Sequence, residues 1–225
     1  MRASCRRTPA SSQPRGLECA ILLCALLAAL AVPAAAAPID PATFAGHRIG
    51  DDYKLVKWPK IVEYFELLAR DSARVRIADL GKTTLGNRLI AAVISSPENL
   101  AAADRHKDTA SRLASGRGLG DDEARSAAEQ GKAIVAITLN LHSTEIASSQ
   151  MALELAYTLA TDTSPATRQI LDNTIVLLIP SLNPDGQIMV CDWYEKGRGT
   201  TLEAAGCPGS TTPTRATTTT ATGSC

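Results

Sequence analysis

A histidine followed three residues later by a glutamate, His142 and Glu145, is the pair in this sequence whose types and spacing suit metal chemistry. Imidazole nitrogen and carboxylate oxygen are both common zinc ligands. At this offset both side chains can face one ion if the chain turns between them. The run before them, Ile134 to Leu141, is continuous in β-branched and apolar residues, and Ala147 to Ala160 reads as a helix. The pattern predicts a buried strand that delivers His142 at its C-terminal end, with Glu145 opening the next helix. Open α/β sheets gather ligands at that edge. A bare His-x-x-Glu also arises by accident. The plain alternative is a solvated histidine beside a glutamate favoured by the helix dipole.

A second apolar run, Ile175 to Ile179, ends in Pro180 and then Ser181-Leu182-Asn183-Pro184-Asp185-Gly186. Asn-Pro and Asp-Gly are both turn signals, so a second polar loop leaves a second strand end. Other chemistry-bearing residues are less promising. Gly81-Lys82-Thr83 fails as a phosphate loop: Arg76 stands where the motif needs glycine, and a strand rather than a helix follows. His106 sits in the charged run Asp104–Asp108 and reads as a solvated helix face. His47 lies in a turn-rich lead-in with no evident partner. Cys191 has no histidine near it and reads as a small buried hydrophobe.

The elements that must position the two loops follow from periodicity. A helix starts at Pro59, with Ile61, Tyr64, Phe65 and Leu68 on one stripe. Val75 and Ile77 begin a strand, Leu89 to Ile94 forms another, and Gly81 to Asn87 turns between them as a hairpin. Pro97 to Leu113 and Asp121 to Gln130 are polar, alanine-rich helices, and Ser164 to Leu171 is a further helix. Strands alternating with helices define an α/β protein.

A chain of 225 residues with zero formal net charge suggests one domain and gives no reason to expect nucleic acid as a partner. Residues 1–37 combine four arginines, a short apolar run from Ala20 to Val32, and small residues after Pro33. That is the pattern of a secretory signal peptide cleaved near Ala36. It predicts a secreted or periplasmic protein with no stable membrane anchor after cleavage. Cys5, Cys19 and Cys24 leave with the leader. Cys191, Cys207 and Cys225 are too few and too oddly placed for a disulfide framework.

Taken together, the two motifs make a specific resemblance. His142-Ser143-Thr144-Glu145 after one strand, then Asn183-Pro184-Asp185-Gly186 after a later one, resembles the zinc carboxypeptidases, the carboxypeptidase A/B-like metallopeptidases. The lead-in from Gly50 to Leu100 resembles the start of such domains, and the likeness covers residues 45–203. It implies a mixed sheet flanked by helices. It also implies zinc held by three protein ligands, a water activated by the metal, a glutamate base, and an arginine pair gripping the substrate's terminal carboxylate. Peptide or protein C-termini would be the substrates.

On this chain His142 and Glu145 match the first two metal ligands. No histidine follows His142, so the third ligand, the base and the carboxylate grip have no counterpart, and the domain reads as truncated at its C-terminus and inactive. Arg198 follows the Asn-Pro-Asp-Gly turn at about the distance of a family substrate-binding arginine, in a context that also suits an exposed loop. Residues 204–225 are threonine-rich, and from Cys207 onward they hold no Leu, Ile, Val or aromatic, so they cannot build a core. A one-base shift of frame can spell a carboxylate-gripping asparagine–arginine segment there, which suggests a frameshifted tail. Two other functions share the pattern: a metal-dependent deacylase of N-acyl amino acids, and a non-catalytic peptide-binding module.

Overall fold

The computed structural model describes residues 37–203, 205 and 207. The chain divides into two units, Met1–Ala35 and Ala36–Cys225, and every described residue lies in the second. The leader reading of residues 1–37 and the tail reading of residues 204–225 therefore fall outside the described residues, apart from Ala37, Ala205 and Cys207.

A one-turn helix α1 (Pro41–Ala45) is capped by Asp40, whose carboxylate accepts from the Ala42 and Thr43 N–H groups. Helix α2 (Trp58–Asp71) follows, with proline in its first turn. Ile61, Tyr64, Phe65 and Leu68 face inward and are buried, each stabilising the fold by roughly 1.5–3 kcal/mol relative to exposure. Strands β1 (Val75–Lys82) and β2 (Arg88–Ile94) pair antiparallel around the predicted hairpin. Next come α3 (Pro97–Ala101), α4 (Ala103–Ser115) and α5 (Asp121–Gln130). Strand β3 (Ala133–Thr138), helix α6 (Ile146–Thr161), helix α7 (Pro165–Asn173), strand β4 (Thr174–Ile179) and helix α8 (Pro184–Gly197) complete the order.

The four strands form a mixed sheet in the order β1-β2-β4-β3. β2 pairs with β4 antiparallel, whereas β3 and β4 run parallel from Ala133↔Thr174 to Thr138↔Ile179. Both parallel strands thus end at the same level, and their two loops leave side by side. α2 packs on α6 and on the β1–β2 hairpin, and the core joins these helices to β2 and β4.

Four expectations are corrected. The run from Ile134 is not a buried strand: it stops at Thr138 and forms an edge, with Ile134 40% and Val135 43% exposed. β3 is paired on one side only among the described residues, so its outer edge and faces lack cover. The single helix expected from Pro97 to Leu113 is two, parted at Ala102. Buried Asn99 pulls the first one inward, donating to Ser95 Oγ and to the carbonyls of Leu171 and Asp172. His106 is buried rather than solvated, because α4 packs on α5 and Lys132 lies against the same face. Desolvation, aided by Arg105 and Lys132, holds its pKa below the ordinary histidine value. Cys207 is disulfide-bonded, against the expectation from cysteine count. Cys191 is a buried free thiol whose pKa burial pushes up to about 11, which makes it inert as a nucleophile.

Candidate metal centre

The chain between β3 and α6 is short and tightly bonded. Leu139 N–H still reaches Ile179 O (3.1 Å), as if the ladder continued, and Leu139 O accepts from Leu182 N–H at 2.8 Å. Then Asn140, at φ 50°, reverses the path. Its N–H donates to Ser148 Oγ (3.0 Å), and that hydroxyl donates to Glu145 O at 2.7 Å. Four residues after the strand, not at its tip, stands His142.

The two predicted ligands meet. His142 Nδ1 lies 2.7 Å from Glu145 Oε1, and Glu145 Oε2 accepts from the His142 backbone N–H at 3.2 Å. Glu145 N–H returns a bond to His142 O at 3.0 Å, closing the turn. The imidazole contact first, then the backbone N–H, holds the Glu145 carboxyl below its usual range. Both side chains are about half exposed, so their donor atoms are open to solvent.

The Asn-Pro-Asp-Gly segment opens a helix, which corrects its reading as a turn alone. Asn183 caps α8 by accepting from Gly186 N–H at 3.0 Å. Asp185 is fully buried. Its Oδ1 accepts from Thr83 Oγ1 (2.6 Å) and Asn87 Nδ2 (2.8 Å), and its Oδ2 from Leu85 N–H at 3.1 Å. It therefore pins the β1–β2 hairpin turn to the start of α8. Gly186 lets the two loops touch. A Cβ there would meet Ser143 Cβ at 2.7 Å and Asn183 Nδ2 at 2.6 Å. Sequence reasoning ascribed no site to Asn140, Asp185 or Gly186. Only the Asn-Pro-Asp-Gly pattern pointed toward the last two.

Arg198 caps the C-terminal end of α8, twelve residues and about 18 Å of helix beyond the loop contact at Gly186. Its guanidinium lies 5.7 Å from the Tyr53 ring and donates to Tyr53 O at 3.4 Å. Tyr53 lines a cavity of about 500 Å³ with Ile49, Leu55, Ile146, Met151 and Tyr194. The cavity adjoins the first turn of α6, immediately after Glu145.

The chain belongs to the zinc carboxypeptidase family, whose model matches residues 61–210. Solved structures similar in fold include carboxypeptidase A from Helicoverpa armigera: 18% identity, TM-score 0.44, covering 83% of this chain and 35% of that one. A metallo-carboxypeptidase from Burkholderia cenocepacia aligns at 16% identity and TM-score 0.43, covering 60% of this chain and 28% of that one. The chain thus spans about a third of the length of the carboxypeptidases it matches. No curated protein matches it.

Zinc is the metal this family name carries, and the pair offers two donor types that zinc takes. The imidazole nitrogen and the carboxylate oxygen stand 2.7 Å apart, bonded to each other. Among the described residues, no group of three His, Cys, Asp or Glu gathers as a metal site, so the pair stands without a third protein ligand there.

Proposed function

We propose that this chain is part of a secreted or periplasmic zinc carboxypeptidase, an enzyme that would remove C-terminal residues from peptides or proteins, and that these 225 residues alone are inactive. The 2.7 Å approach of His142 Nδ1 to Glu145 Oε1, on a loop that touches Gly186, supports this reading. When bound there, zinc supplies a water of lowered pKa and a Lewis acid for the scissile carbonyl. The chain's own residues supply position. His142 and Glu145 hold the metal, and Gly186 seats their loop against α8. Arg198 is the substrate-binding candidate: a guanidinium held against Tyr53 at the cavity wall suits a carboxylate. The leader pattern in residues 1–37 supports export.

Two protein ligands bind zinc weakly and leave its geometry to water. The 225-residue chain is therefore expected to show little or no release of C-terminal residues. Zinc content after exhaustive dialysis tests the assignment directly. His142→Ala is expected to remove the site-bound metal, and equal stoichiometry in parent and variant sinks the assignment. Parallel assays on peptides and on N-acyl amino acids separate the peptidase from a deacylase.

A further inference from the structure

Asn140 occupies the left-handed region that residues other than glycine seldom adopt, at φ 50°, and its side chain is buried. Its carboxamide lies between two sets of groups. On one side are the carbonyl oxygens of Glu145 at 3.1 Å and His142 at 3.2 Å. On the other are Ser181 Oγ at 2.9 Å and the Gln187 amide at 3.2 Å. Carbonyl oxygens only accept, so the amide nitrogen of Asn140 must face them. Its oxygen then accepts from the Ser181 hydroxyl and the Gln187 amide nitrogen. A matching Gln187 orientation brings that nitrogen to Ser149 Oγ as well, at 3.2 Å. The Ser149 hydroxyl spends its own proton on Pro180 O at 2.7 Å and is free to accept. This arrangement also satisfies Gln187 Nε2, a buried donor that the opposite orientation leaves without an acceptor.

We propose that Asn140 is a positioning residue for the metal pair: its carboxamide clamps the backbone carbonyls of His142 and Glu145 and fixes imidazole and carboxylate toward one point. The inference rests on the zinc reading of that pair. Ser181 follows β4 and Gln187 lies in the first turn of α8, so the second motif orients the clamp that shapes the first.

The test measures zinc Kd on the full chain by competition with a chromophoric chelator, beside the melting temperature. Asn140→Gly keeps the left-handed turn at no steric cost and removes only the clamp. Outer-shell partners of metal ligands are worth about 10–100-fold in affinity, so Asn140→Gly is expected to weaken zinc binding at least about tenfold. A purely structural role would lower the melting temperature and leave the Kd of the folded chain in place. His142→Ala separates the two readings. If it leaves zinc binding unchanged, the metal reading fails. If it abolishes binding while Asn140→Gly stays within about twofold of the parent, only the clamp fails. A second measurement needs no variant. Trans-hydrogen-bond couplings from the Asn140 amide nitrogen to the carbonyl carbons of His142 and Glu145 are expected by NMR, and their absence overturns the proposal.

Discussion

Replacing Asp185 by alanine strands three donors at once: the Thr83 hydroxyl, the Asn87 amide and the Leu85 N–H. Hydrogen bonds to charged groups contribute about 1.5–3 kcal/mol each, and unsatisfied buried donors add a penalty. Asp185→Ala is expected to cost about 3 kcal/mol or more, read as a lower urea midpoint at unchanged m-value. An unaltered midpoint would show that water serves those donors equally well. At this scale the contact between His142 and Glu145 was legible because it is local, three residues apart. Asp185 and Asn140 were not, because what they do depends on distant partners. Thr83 lies 102 residues from Asp185, and Gln187 lies 47 from Asn140.

The start of α7 is an acid-sensitive joint between elements. Asp162 accepts from Thr167 Oγ1 (2.5 Å), Ser164 N–H (2.9 Å) and Ser164 Oγ (2.8 Å), while its backbone oxygen accepts from Arg74 at 2.6 Å. These bonds, led by that from Thr167, hold its pKa down at about 2 against an ordinary 3.8. A depressed carboxyl pKa means the unfolded chain takes up the proton first, so this contribution is complete above the ordinary value and lost as pH falls toward about 2. Asp162→Asn is expected to lower stability near neutrality and to flatten the acid limb, so that variant and parent converge as pH falls toward about 2. A limb as steep as the parent's would place the acid sensitivity elsewhere. Among elements, α2 and the β1–β2 hairpin were legible, since stripe and turn chemistry agree with their tertiary setting. α8 was read as a turn because Asn-Pro-Asp-Gly satisfies turn and helix-start rules alike, with Asn183 as cap and Pro184 in the first turn. The break at Ala102 depends on Asn99 finding carbonyls near residue 171, which no local pattern encodes.

For the whole molecule, the edge of β3, open among the described residues, is a liability. An apolar strand with an open edge pairs readily with another chain. Concentration-dependent self-association is expected by sedimentation, and Val135→Lys, which puts a charge on the exposed strand, is expected to reduce it. A clean monomer at all concentrations would show that the edge is protected. The α/β class was legible from alternation alone, but strand order was not. A continuous apolar run looks the same whether its neighbours flank it on both sides or on one.

The bond from Thr83 to Asp185 also sets a timetable for synthesis. The hairpin turn leaves the ribosome 102 residues ahead of the carboxylate that anchors it. At about 5–20 residues per second, that is a delay of roughly 5–20 s during which water must serve the Thr83 hydroxyl and the Asn87 amide. Nascent chains stalled before residue 185 should therefore keep a protease-sensitive turn at residues 83–87, and those extended past α8 should lose it.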